Sequence, residues 1–285
     1  MSTSTETSAA GAPVWLITGA SSGLGRRLAE AALARGHRVV ATARNPDAVG
    51  ALVERHPGRA IAARLDVTDS DQARAAVEAG VGAFDRVDVV VNNAGFGLFG
   101  ALEELADDDL RRQFETNVFG ALNVVRAALP QLRRQRSGHI VQISSLEGVA
   151  PAVAGESAYA GTKFAVEGLA EALAKDVAHL GIRVTIVEPG PLRTEFAAGA
   201  VVQPPRSDDY AESVGGALSW FEGILGRQPN DPDLVAAAIV DVVGSAEPPL
   251  RLALGQEAVE AIRSKLDAHR DELDTWEPVS RSTAA

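Results

Sequence analysis

The chain of 285 residues is predicted to fold as a doubly wound α/β domain on a mostly parallel sheet. Short runs that are apolar at every position alternate along it with longer stretches of helical spacing. A glycine-rich turn, Thr18-Gly19-Ala20-Ser21-Ser22-Gly23-Leu24-Gly25, follows the first apolar run without a gap. Strands covered by helices on both faces read as continuous apolar runs, which is the mark of a parallel sheet. Right-handed crossovers then wind the chain outward on both sides of the first strand.

In order, residues 14–18 read as a buried strand, followed by the turn and a helix to about Arg35, with Gly36 at its end. Residues 38–43 form a second strand and residues 60–65 a weaker third, and residues 71–81 have helical apolar spacing. Residues 87–91 are valine-rich, and residues 140–144, 182–187 and 250–254 supply the remaining strands. Gly181 closes a helix ahead of residue 182, and Asp231-Pro232 places a cap residue and an N-terminal proline ahead of a helix over 234–243. Residues 196–230 carry no clear element but include Tyr210, Trp220 and Phe221, so an ordered excursion over the ligand crevice is expected. Residues 256–285 read as an amphipathic helix through Asp274, with Trp276 beyond it. Residues 1–13 are expected to be a disordered tail, and residues 14–285 a single domain with a substrate-covering insertion over 196–230.

Composition narrows the functions. Hydrophobic residues make up 46% and charged residues 23%, as in an ordinary soluble globular chain. Lys and Arg total 27 against 38 Asp and Glu, a net charge of -11 that argues against nucleic acid as a partner. The chain has no cysteine, which excludes disulfides, zinc–thiolate sites and cysteine nucleophiles. The five histidines include no pair at metal-binding helical spacing, so no metal site is expected. No window reaches the ~20 apolar residues of a membrane helix. Residues 2–13 have neither a basic start nor an apolar run, so a cytoplasmic protein without a signal peptide is expected.

The residues that carry chemistry stand at three places. Gly19, Gly23 and Gly25 permit a tight turn and close backbone approach to a pyrophosphate, which the free N–H groups and positive end of the next helix stabilise. The alternative is a loop that only needs positive φ; the position directly after the first strand favours the phosphate reading. Arg44 follows the second strand where an acid would read a ribose hydroxyl, so a guanidinium for a 2′-phosphate is preferred over a merely solvated charge. Tyr159 and Lys163 stand four apart, on one face of a helix. A nearby lysine cation is expected to lower the phenol pKa toward a working range.

The turn, Asn92-Asn93-Ala94-Gly95 and Tyr159-x-x-x-Lys163 together resemble the classical short-chain dehydrogenases/reductases, over about residues 14–254. The resemblance implies a Rossmann-type fold that binds NADP(H), held by Thr18, Gly19, Ser21, Ser22, Gly23, Leu24, Gly25 and Arg44. It adds Asp66 and Val67 at the adenine, Asn93, Ala94 and Gly95 along the cofactor, and Pro189, Gly190 and Thr194 at the nicotinamide. It implies a catalytic set of Tyr159 as proton donor, Ser145 on the carbonyl oxygen, Lys163 beside the tyrosine and the cofactor, and Asn117 positioning a water.

The implied substrate is a small-molecule ketone or aldehyde, uncharged or weakly polar, or the matching secondary alcohol. Leu218, Trp220, Phe221, Ile224 and Leu225, facing Val149, Pro151 and Val153, are read either as its apolar contacts or as helix core. A homodimer or homotetramer on the helices of Asn117 and Tyr159 is implied. Ser145 precedes Tyr159 by fourteen residues, one more than the family's usual spacing, and Ser144 is the alternative serine. Glu147 faces either solvent or substrate. Two rival functions are a non-catalytic NADP-binding regulator and a dehydratase or epimerase with retained NAD.

Overall fold

A computed structural model of the chain describes residues 11–196 and 198–283. The expected tail lies, over residues 1–10, outside the described residues.

Strands β1 (Val14–Ile17), β2 (Arg38–Ala43) and β3 (Ala60–Arg64) alternate with helices α1 (Gly23–Ala34), α2 (Gly50–Arg55) and α3 (Ser70–Phe84). The chain continues through β4 (Val89–Asn92), β5 (Leu98–Phe99), α4 (Asp107–Phe114), α5 (Gly120–Gln135) and β6 (Gly138–Ile143). It closes with α6 (Ser157–Val177), β7 (Ile182–Pro189), β8 (Val201–Val202), α7 (Gly216–Gly223), α8 (Pro232–Val243), β9 (Arg251–Leu254) and α9 (Gln256–Arg281).

The seven-stranded sheet runs β3-β2-β1-β4-β6-β7-β9, every pair parallel. The central strands are largely apolar because alternate residues serve two cores. Trp15, Ile17, Val39 and Ala41 pack with α1 and α8 on one face. Val14, Leu16 and Val40 pack with α3, α5 and α6 on the other. The winding reverses between β1 and β4, and their carboxyl ends diverge there into a crevice.

Helix punctuation follows local chemistry. Gly36 takes φ +82° after α1 and Gly181 φ +72° ahead of β7. The Asp231 carboxylate accepts from the Asp233 N–H at 2.8 Å and caps α8. The fourth strand begins at Val89, two residues later than the valine run suggests. Val87 and Asp88 are spent at its mouth, where Val14 N–H donates to the Asp88 carboxylate at 2.8 Å. Helices α4 and α5 occupy a region to which the sequence pattern above assigns no element.

The excursion is ordered where it is described. β8 pairs in parallel with β5, and α7 follows. Arg206 and Ser207 donate their backbone N–H groups to Glu104, at 2.7 and 2.8 Å, and Tyr210 donates its hydroxyl to Glu103 at 2.9 Å. Helix α9 runs past the expected end at Asp274 to Arg281, with Pro278 inside its last turns. Its first turns dock on the same chain: Ala258 is buried, and Ala261 and Ile262 pack on Leu146 and Ala150.

Candidate active site

The crevice at the carboxyl end of the sheet holds a cavity of about 770 Å³. Its wall begins with Gly19, Ser21, Ser22, Gly23 and Leu24 of the turn after β1. Gly19 has φ +64° and Gly23 φ +51°, so the turn needs the left-handed region that glycine enters freely. Thr18 and Gly25, expected at the cofactor, do not reach the wall; they hold the turn together. The Thr18 hydroxyl donates to Val91 O at 3.1 Å and accepts from the N–H groups of Asn93 and Ala94, at 2.8 and 2.9 Å. A Cβ on Gly25 would meet Asn93 Nδ2 and Gly19 O at 2.4 Å. Asn93 Nδ2 in turn donates to Thr18 O at 2.8 Å.

Helix α1 starts here with no side-chain cap and no acidic residue in its first turn. The Gly23 N–H instead donates to the Glu195 carboxylate at 3.2 Å. A carboxylate there stands in for an anion at a helix N-terminus, so the turn fits a dinucleotide's phosphates. Arg44, Asp66 and Val67 line one end of the same cavity, and Asn93, Ala94, Gly95, Pro189, Gly190 and Thr194 line it further along. Arg44 is exposed, with its guanidinium open to a ligand.

Ser145, Tyr159 and Lys163 converge on the cavity. The Ser145 hydroxyl, which accepts from Glu147 N–H at 3.2 Å, also acts on the Tyr159 phenol and draws its pKa down. Ser144 turns its hydroxyl toward Glu167 and Gly148, which decides between the two serines in favour of Ser145 as the one facing the tyrosine. The longer Ser145-to-Tyr159 connection is absorbed in the loop between them, where Gly155 takes φ +84° and its carbonyl accepts from Gly100 N–H at 2.8 Å.

Lys163 Nζ donates to Ile143 O at 3.0 Å and sits 5.5 Å from the Tyr159 ring centroid. Burial pulls the lysine down to about 8. Contrary to the sequence expectation, the tyrosine pKa is pushed up. Burial disfavours the phenolate, and the carboxyls of Glu156 and Glu147 add to the effect, outweighing the Ser145 hydrogen bond.

Asn117 lies in a single π-turn, Glu115–Phe119, between α4 and α5. It does not line the cavity, and its side chain is committed within the protein. Oδ1 accepts from Phe96 N–H at 3.0 Å, and Nδ2 donates to Phe96 O and Thr162 Oγ1, at 2.9 and 3.1 Å. Such π-turns are frequent at functional sites.

Glu147 lies in the turn Leu146–Gly148, is 9% exposed and lines the cavity, so it faces the site and not solvent. Sequence reasoning missed Glu156, Gln228 and Phe99 on the same wall. Glu156 stands three residues ahead of Tyr159, a helical spacing that could have found it; Gln228 and Phe99 carry no local signal. Of the expected apolar contacts, Phe221 and Ile224 line the cavity, Leu218 is buried against Phe99 and Tyr159, and Trp220 and Leu225 are exposed.

The short chain dehydrogenase family pattern matches residues 13–203. A short-chain dehydrogenase from Streptomyces avermitilis superposes with a TM-score of 0.88 at 45% identity, covering 96% of this chain and 100% of that one. Oxidoreductase BOA17 of Botryotinia fuckeliana is 40% identical over 272 residues, 95% of this chain and 99% of its own length. A short-chain dehydrogenase/reductase from Burkholderia phymatum, in complex with NAD, has a TM-score of 0.78 at 26% identity and covers 88% of this chain and 92% of its own.

Proposed function

The chain belongs to the short-chain dehydrogenase family, and from that premise we propose that it is an NADP(H)-dependent oxidoreductase interconverting a carbonyl and a secondary alcohol. The observation that carries this reading is the meeting of Ser145, Tyr159 and Lys163 in one cavity with the glycine turn of β1. The dinucleotide would be held by Gly19, Ser21, Ser22, Gly23 and Leu24 at its phosphates, with Asn93, Ala94 and Gly95 along it and Pro189, Gly190 and Thr194 at the nicotinamide. When bound, its nicotinamide supplies or accepts the hydride. Arg44, exposed at the end of β2 with no acid beside it in sequence, supports recognition of a 2′-phosphate.

In the reducing direction Tyr159 gives its phenolic proton to the carbonyl oxygen, and a raised pKa keeps that proton in place beforehand. The Ser145 hydroxyl hydrogen-bonds the same oxygen and stabilises its developing charge. Lys163, lowered to about 8, can both hold and release a proton beside the phenol near neutral pH. The Asn117 side chain spends both of its N–H donors on Phe96 O and Thr162 Oγ1, so its contribution is to hold the π-turn against the loop after β4 and against α6. The excursion over 196–230 covers the substrate through Phe221 and Ile224. Phe119 and Phe164, exposed near Asn117 and on the helix of Tyr159, support a homo-oligomer.

Purified protein is expected to oxidise NADPH with ketones or aldehydes, and NADH much more weakly. Tyr159→Phe should lower turnover by about 10²–10⁴-fold while NADPH binding, read by fluorescence titration, is retained. Loss of binding with turnover would make Tyr159 a structural residue. Arg44→Ala should cut the NADPH preference by roughly tenfold or more, read as a ratio of kcat/KM values. An unchanged ratio would remove Arg44 from cofactor recognition.

A further inference from the structure

Glu147 follows Ser145 by two residues in the turn after β6, and Glu156 precedes Tyr159 by three at the start of α6. The two carboxyls therefore flank the serine and the tyrosine, and both stand on the cavity wall. The two carboxyls act on each other, and burial raises both. Glu147 Oε2 also accepts from Ala152 N–H at 3.2 Å, whereas Glu156 Oε2 is buried without a partner among the described residues. No cation appears among the groups acting on either carboxyl.

Two further features of the cavity point to a ligand of a particular shape. Phe99 and Phe196 pack around the Tyr159 ring, at 5.8 and 5.7 Å between centroids, and Phe221 lies 5.1 Å from Phe99. That wall suits an apolar body. Gln228 is 3% exposed on the same cavity, and its Oε1 has no hydrogen-bond partner among the described residues. A buried acceptor left open at a cavity wall is costly unless a ligand supplies the donor.

We propose that the Glu147–Glu156 pair is a subsite for the ammonium group of an amino-substituted ketone, held beside the carbonyl that reacts at Tyr159. The inference rests on the oxidoreductase reading and deepens it by naming the substrate class. It replaces the uncharged substrate expected from the sequence. Burial raises both carboxyls and each opposes ionisation of the other, so a single ionised carboxyl of the pair, with no cation acting on it, is the charge an ammonium would meet. In a cavity of low dielectric an ammonium gains more from that charge than a hydroxyl does, and the pairing offsets the cost of desolvating both. The ionised carboxyl accepts from the ammonium, and the other keeps its proton.

The test is calorimetric binding of β-aminopropiophenone, propiophenone and β-hydroxypropiophenone to the full chain with NADP⁺ present, so that no ketone is consumed. The amino ketone is expected to bind at least about tenfold more tightly than propiophenone. That ratio should fall to within about twofold in Glu147→Gln/Glu156→Gln, and Glu156→Gln alone should fall between. The amide oxygen of Gln can still accept from Ala152, so a merely structural brace would leave the ratio unchanged. Equal affinities in the unmodified protein, no binding of the amino ketone, or a ratio that survives in the double variant each overturn the proposal. The hydroxy ketone binding as tightly as the amino ketone overturns the ammonium assignment. The contrast needs no turnover, so it stands apart from the oxidoreductase reading, which fails instead if Tyr159→Phe keeps its activity.

Discussion

At Glu167 and Glu188, buried carboxyls face the guanidinium of Arg251; at Glu147 and Glu156, carboxyls on the wall of the candidate site have no ion-pair partner among the described residues. Both groups border α6. In the first, Arg251 Nη1 reaches Glu188 at 2.8 Å and also bonds Glu167, and Nη2 reaches Glu171 at 2.7 Å, tying β9 to β7 and α6. Burial still pushes Glu167 and Glu188 up, with Arg251 opposing the shift. In the second, burial has no such opponent. A buried carboxyl with a cation beside it binds parts of a fold together. One without a cation costs stability in the free protein, and a ligand of opposite charge is the natural source of the missing partner.

The largest break in this comparison is Arg251→Met. It strands two buried carboxyls, and the expected loss is about 2 kcal/mol in denaturant unfolding, discounted because the guanidinium is over a third exposed. The loss should grow as pH rises and the stranded carboxyls are forced to ionise. A variant as stable as the parent would show that the cluster is ornamental to β9.

Glu156→Gln is expected to act in the opposite direction. The folded pKa of Glu156 lies above the ~4.3 of an unfolded glutamate. Its stabilising contribution is therefore complete below about pH 4 and is lost as pH rises through the folded value, because the unfolded chain releases the proton first. The variant lacks this loss, so it should gain on the parent by about 1 kcal/mol or more between roughly pH 5 and pH 9. Parallel pH profiles for variant and parent would mean the carboxyl is not held protonated.

The smallest effect sharpens the contrast. Glu171, the exposed arm of the Arg251 cluster, is drawn down by its hydrogen bond to Arg251. Glu171→Gln should move the unfolding midpoint least of the three, since water already screens that pair. A shift as large as that of Arg251→Met would place the cluster's strength at the surface and not in the buried pair.

Legibility in the sequence followed the range of the interaction. The first strand, its glycine turn and Gly36 were readable because each depends on neighbours a few residues away. The pair Tyr159 and Lys163 was readable because helix geometry alone puts them on one face. Glu156 has a local clue in its spacing from Tyr159, but an acid at a helix start carries no signal of its own. Nothing near Gln228 signals that its amide ends in the cavity, because what brings it there is packing across the chain. The fate of Glu147 was open for the same reason: a single acid in a turn reads alike whether it meets water or a second carboxyl.

By itself, then, the sequence determined the winding of the sheet, the glycine turn after β1 and the shared face of Tyr159 and Lys163 on α6, since apolar periodicity, glycine torsions and helical spacing are properties of short segments. The tertiary structure alone decided that Thr18 and Gly25 brace the turn, that Ser145 and not Ser144 meets the tyrosine, and that Asn117 is spent on Phe96 and Thr162. It also decided the sign of the Tyr159 shift. A pKa depends on every charge and every excluded water around the group, and those are fixed only when distant segments close over it.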